Sequence, residues 1–388
     1  MGTFRSVTED ERATHQRIKD HVWGDGGVPD PDEAVPRALG ERWAYVEGGR
    51  FRSICALLEI DVRLAGEWRT IGGIRGFVTP PEHRGQGYGR RLLRGAVAEF
   101  ADRGLSYAVL WPASIDYYRE RGWGLVHTET AYAFPPDAMA DPGPAGRFER
   151  VGPDDFGRLE AVWEADASDY ELALRRTERW WRERVLDDAW AYTWTADGDD
   201  EPAGYVVYRL DRDAETLTVE ELATRSERAR RQLLGFLERH APQADRVEWE
   251  CPRERRLLRE AADPDAVEAS VEPGASGYVV DVPTAIEALP AERGPAKAVT
   301  IEVTDPLAPR NDGRFRVEPD MTCRPLETGA TIDDPGLVVD AAVLAQLYVG
   351  TLSIETAAAR EIVTATDDAV AALSETFGAR DVYVSDFF

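Results

Sequence analysis

FVTPPEHRGQGYGR, residues 77–90, leaves an apolar run, crosses a Pro-Pro-Glu lead-in and alternates Arg84, Gln86 and Tyr88 with Gly85, Gly87 and Gly89. Upstream, TIGGIRGFVT (70–79) reads as a strand. Downstream, Leu92, Leu93, Ala96, Val97 and Phe100 recur at the three- and four-residue spacing of one buried helix face, and Asp102-Arg103-Gly104 ends the helix. SYAVLW (106–111) then reads as a buried strand, which makes a strand–helix–strand unit of the parallel type. A helix start preceded by glycines offers consecutive backbone amides and the positive end of the helix dipole to an anion such as a pyrophosphate. Arg84, Arg90 and Arg91 add positive charge, and the glycines let the backbone approach closely. The loop lacks the spacing of a dinucleotide fingerprint and the Lys-Ser/Thr pair of a nucleotide P-loop.

Working outward, RWAYVE and FRSICALLEIDV flank the turn dipeptide Gly48-Gly49, a hairpin that adds two strands to the unit, with a polar helix expected before them. Two breaker-rich stretches, 134–147 and 289–297, suggest domain boundaries and a division into 1–140, 141–290 and 291–388. The middle segment repeats the first plan with AGYVVYRL, TLTVEELA and a helix carrying Leu233, Leu234, Phe236 and Leu237. Its crossover reads ATRSERARRQ, without glycine, so one anion cradle per chain is expected. The last segment, with AVTIEVTD followed by helices around VVDAAVLAQLYVG and DDAVAALSETF, has an α+β pattern.

The 388 residues carry 72 acidic and 46 basic side chains, a net charge of −26, with lysine only at 19 and 297. Such a surface repels nucleic acid. It also self-repels unless salt screens it, so a salt-loving source is expected, and it attracts cationic amines. Mean hydropathy is −0.41. The absence of an apolar run of about 20 residues or a secretory leader points to a cytoplasmic protein outside the membrane. Cys55, Cys251 and Cys323 are far apart and lack metal-type spacing, which suits a reducing compartment and no metal.

The segment VTPPEHRGQGYGRRLL resembles the acetyl-CoA loop of GNAT acetyltransferases, with Arg84, Gly87 and Gly89 at the motif positions; Tyr117-Tyr118-Arg119-Glu120-Arg121-Gly122-Trp123 resembles that superfamily's tyrosine-containing turn. The order of the three segments resembles the Eis-like (enhanced intracellular survival) acetyltransferases: an active GNAT domain, a degenerate one and a sterol-carrier-protein-like domain. GYVVDVP, LAQLYVG and the terminal Phe support the match in the later segments. The resemblance implies an α/β and α+β fold, acetyl-CoA as donor, a primary amine (aminoglycoside-like, polyamine or lysine) as acceptor, and a homo-oligomer, hexamer favoured. It places the donor on Phe77, Val78, Thr79, Arg84, Gly85, Gln86, Gly87, Tyr88, Gly89 and Arg90, with a second contact at Ala113 and Ser114. It makes Tyr118 the general acid, since a phenol's pKa near 10 is close enough to a thiol's for proton transfer. The α-carboxylate of Phe388 would be the base, working through water or by orienting the amine. Trp23, Asp25 and Asp386 are candidates for the acceptor, although in so acidic a chain a surface role for each is as natural. Tyr117 reads as packing and His83 as a capping or solvent residue. A protein in which the sterol-carrier-like part binds lipid or acts as scaffold around a vestigial core is the alternative.

Overall fold

The computed structural model describes residues 2–23, 39–139, 142–143, 145–252, 257–327 and 335–387. In chain order the first part runs β1 (Thr3–Ser6), α1 (Arg12–Trp23), β2 (Glu41–Glu47), β3 (Arg50–Leu64), β4 (Glu67–Val78), α2 (Tyr88–Asp102), β5 (Tyr107–Leu110), α3 (Ile115–Arg119) and β6 (Gly124–Leu125). The middle runs β7 (Thr128–Phe134), β8 (Arg147–Val151), α4 (Gly157–Ala167), α5 (Glu178–Trp180), β9 (Trp190–Thr195), β10 (Gly204–Asp211), β11 (Thr216–Thr224), α6 (Glu227–Glu238), β12 (Arg246–Cys251), α7 (Leu257–Glu260) and β13 (Glu268–Pro273). The last part is β14 (Ser276–Val279), α8 (Val282–Glu287), β15 (Val299–Thr304), β16 (Gly313–Val317), β17 (Cys323–Pro325), β18 (Leu337–Asp340), α9 (Ala341–Val349), α10 (Ile354–Ala359), β19 (Thr364–Ala365) and α11 (Asp367–Leu373).

The first sheet has the order β1-β2-β3-β4-β5-β14-β6 and the second β8-β9-β10-β11-β12-β7-β13, so the two have the same plan with one strand exchanged. β14, from late in the chain, lies antiparallel between β5 and β6, and β7 lies antiparallel between β12 and β13. Contacts accordingly group residues 1–126 with 274–388 as one compact unit and residues 127–273 as another. The breaker-rich stretches at 134–147 and 289–297 mark changes in composition; the units divide where the chain hands a strand across.

In the first unit, α2 buries Leu92, Leu93, Ala96, Val97 and Phe100 on the sheet, each large apolar side chain contributing about 1.5–3 kcal/mol. Gly72 of β4 makes room for this packing, since a Cβ there would lie 2.7 Å from the Phe100 ring. The five-stranded third sheet, β17-β16-β15-β18-β19, belongs to the same unit. Its α9 is buried on nearly every side because AAVLAQLYV offers small or apolar residues all round. Gly124 admits it, as a Cβ would meet the Ala342 carbonyl at 2.1 Å. A buried network completes the junction: the Tyr278 hydroxyl donates to Asp305 at 2.5 Å, Asp305 accepts the amides of Leu307 and Ala308, and the Asn311 amide donates to the carbonyl of Val279. The three cysteines are free and buried. Among the described residues no helix is long and apolar enough to cross a membrane.

Candidate active site

β4 and β5 pair in parallel only from Gly72 to Ile74, opposite Ala108 to Leu110; beyond Ile74, β4 parts from β5. On its other side the register with β3 slips between Ile54 and Ala56, and Gly76 has a φ of +54°, the left-handed value that glycine tolerates without strain. The bulge and the parting of the strands open a cleft at the end of β4, with the backbone of Phe77, Val78 and Thr79 in its wall. The cleft has a volume of about 570 Å³.

On one side stands the N-terminus of α2. Gly87 caps it in the left-handed region, φ +76°, with no side chain accepting from the helix amides; Gly85 is also left-handed, φ +73°. The amide of Arg91 is the first to find the carbonyl of Gly87, so the amides of Tyr88, Gly89 and Arg90 have no acceptor within the helix. Nothing lies within 4 Å of where a Cβ would stand on Gly85 or Gly87, and both face the cleft. Gly89 is glycine for the opposite reason: a Cβ there would be 2.5 Å from the Tyr117 hydroxyl. Around this start, Tyr88 donates to Glu47 at 2.5 Å, Arg52 and Arg91 lie over the Tyr88 ring, and Arg52 donates to the His83 ring nitrogen at 3.2 Å. Arg84 and Arg90 line the cleft while also bonding the carbonyls of Thr79 and Pro306. Gln86 turns its amide to the carbonyl of Glu82 instead.

Across the cleft, Ser114 caps α3 by accepting the Tyr117 amide, and Ala113 and Ser114 line the wall. This turn sets two rings into the cleft. Tyr117 lies under the Arg121 guanidinium, 3.7 Å from its centroid, and Tyr118 packs edge-on against Phe77, Tyr117 and Trp123. Tyr118 is buried, and desolvation, then the neighbouring Tyr117, pushes its pKa well above that of an ordinary phenol, so the hydroxyl is protonated at neutral pH. Among the described residues no hydrogen bond engages that hydroxyl, which leaves it able to donate into the cleft. The arrangement combines an anion cradle, strand backbone parted from β5 and a protonated phenol around one space.

Val22 and Trp23 of α1 also line the cleft, Trp23 with 56% of its surface exposed. Asp25 and Phe388 lie outside the described residues. Asp386 is buried, its carbonyl accepts from the Trp111 indole at 3.2 Å, and Phe387 packs on Trp111, so the tail meets the first sheet beside the end of β5. Sequence reasoning passed over Arg121, Trp111 and the bulge at Gly76. Only the bulge had a local signal, a glycine inside a strand run. Among the described residues no group of His, Cys, Asp and Glu is placed to hold a metal ion.

The fold and this cleft are those of a GNAT acetyltransferase, and comparison with known families agrees: residues 3–126 and 172–278 each match an acetyltransferase (GNAT) domain, and residues 282–385 match a sterol carrier protein domain. Among solved structures, the fold is similar over the whole of both chains to a GCN5-related N-acetyltransferase from Anabaena variabilis (20% identity, TM-score 0.80) and to a probable N-acyltransferase from Enterococcus faecalis (17%, 0.85). It is similar to the same extent to Eis1 from Mycobacterium abscessus (23%, 0.76). Comparison with curated proteins returns no match. The chain belongs to the GNAT acetyltransferases, with two GNAT domains in tandem followed by a sterol carrier protein domain. The GNAT fold implies acetyl-CoA, and the bare helix start with its open left-handed glycines fits the diphosphate of that molecule.

Proposed function

We propose that the chain transfers acetyl from acetyl-CoA to a primary amine by direct attack, with one active site in its first GNAT domain. The observation that carries this reading is one cleft lined by both the uncapped N-terminus of α2 and the buried hydroxyl-bearing ring of Tyr118. The free amides of Tyr88, Gly89 and Arg90 hold phosphate oxygens, and the parted backbone at Phe77 to Thr79 polarises the acetyl carbonyl and stabilises its oxyanion. A neutral amine forms the new C–N bond, the C–S bond breaks, and the Tyr118 hydroxyl gives its proton to the departing thiolate.

Trp23 and Asp386 are proposed to contact the acceptor, with Asp25. The tail held at Trp111 is proposed to bring Phe388 to the site as the base. The acceptor class, whether aminoglycoside-like, polyamine or lysine, is the one the family resemblance implies, and the acidic surface suits it by concentrating cations. A homo-oligomer with the hexamer favoured and a cytoplasmic, salt-rich setting complete the reading. Release of CoA thiol across an amine panel at high salt tests the activity; wild type that binds no donor and turns over no amine overturns it. Sedimentation showing only 43 kDa particles overturns the oligomer.

A further inference from the structure

Arginine supplies all but two of the 46 basic side chains, and the lysines at 19 and 297 are in opposite circumstances. Lys297 is exposed and paired with Asp368 at 2.5 Å. Lys19 is half-buried on α1, one turn before Val22 and Trp23, the two α1 residues that line the cleft. Its stem lies on the β4 bulge: Cδ is 4.0 Å from where a Cβ would stand on Gly76, the residue before Phe77. Among the described residues no hydrogen bond or ion pair engages its ammonium. Around it stand Arg75 of β4, Arg42 of β2 and Asp20 beside it on α1; burial, then Arg75, lowers its pKa. A guanidinium stays protonated at any physiological pH, whereas burial beside another cation shifts an amine toward its neutral, nucleophilic form.

We propose that Lys19 is a modification site: an acceptor in cis, acetylated by the chain's own active site. The inference rests on the reading of the cleft given above. The neutral Nζ attacks the acetyl carbonyl of acetyl-CoA, the C–N bond forms as the C–S bond breaks, the thiolate takes the Tyr118 proton, and the surplus proton on nitrogen passes to water and thence back to the phenolate. Amine and thioester become amide and thiol. The product is neutral, so α1 loses one positive charge a turn before the residues that line the cleft.

Full-length protein is incubated with isotope-labelled acetyl-CoA, and acetylation at each lysine is followed by peptide mass spectrometry; donor binding is measured in parallel by calorimetry. Lys297 reports chemical acetylation, which favours exposed amines. The expected result is label on Lys19 at least about 100-fold faster than on Lys297, the advantage of a held nucleophile. Its rate should be independent of protein concentration and abolished by Tyr118→Phe, and Lys19→Arg should remove the label while leaving donor affinity unchanged. Donor binding and turnover of an external amine without preferential label on Lys19 overturn the proposal and leave the reading of the cleft standing. Label that slows in proportion on dilution assigns the transfer to another molecule and overturns the cis route. Absence of donor binding overturns both.

Discussion

α2 and α6 follow the fourth strand of two sheets built to one plan, and both bury an apolar face of leucines and a phenylalanine, yet only one can hold an anion. Residues 79–87 separate β4 from α2 and include two left-handed glycines; residues 225–226 alone separate β11 from α6. At α2 the cap is bare. At α6 the Ser226 side chain accepts the Ala229 amide, and Arg230 is buried in ion pairs with Glu227 and Glu260. The second repeat has satisfied from within what the first leaves open. In the same repeat Arg176 lies over Trp163 and Trp181 and pairs with Glu221 of β11. A helix start becomes less open to an outside anion as its amides and neighbouring cationic groups find partners in the chain.

The largest expected effect tests whether the first repeat alone does chemistry. Tyr118→Phe should lower kcat by about 10²- to 10⁴-fold with donor affinity unchanged, since only proton donation is lost; steady-state kinetics with calorimetry checks this, and equal loss in binding would make the ring a packing element.

Acid should expose another contrast, between buried histidines of the two repeats. His15 Nε2 donates to the Cys55 carbonyl, 3.0 Å away, and burial lowers its pKa from 6.5 to about 4; His240 bonds Tyr208 and is also lowered by burial. A depressed histidine favours the neutral fold. The stability it contributes is complete above pH 6.5 and is lost as pH falls from there through about 4, by roughly 3 kcal/mol at most for His15. Melting temperatures of wild type and His15→Gln over that range should converge at low pH; parallel curves would remove His15 as the source.

At the cradle, Gly89→Val must displace the Tyr117 hydroxyl and should weaken donor binding by about 30-fold, roughly 2 kcal/mol. Calorimetry on the folded variant is the check. The smallest effect belongs to the second repeat: Ser226→Ala should cost about 1 kcal/mol of stability and leave donor binding untouched. A change in affinity there would mean that the second helix start takes part after all.

The amphipathic period of α2, the hairpin around Gly48-Gly49, the glycine-rich crossover and its absence from the second repeat were legible because each depends on neighbours a few residues apart. The Tyr118 turn was legible by resemblance, and its place beside the cradle is a finding of the fold. The exchange of β7 and β14 was not legible, because both strands are short and apolar enough for either sheet, and only the pairing of whole sheets chooses between them. Nor could sequence show that Arg90 bonds a carbonyl at Pro306, that the tail seats on Trp111, or that Lys19 lies on the β4 bulge. Local chemistry, being set by spacing along the chain, was determined by the sequence alone. The company each group keeps across hundreds of residues was decided by the tertiary structure, because burial and strand pairing act on distance in space.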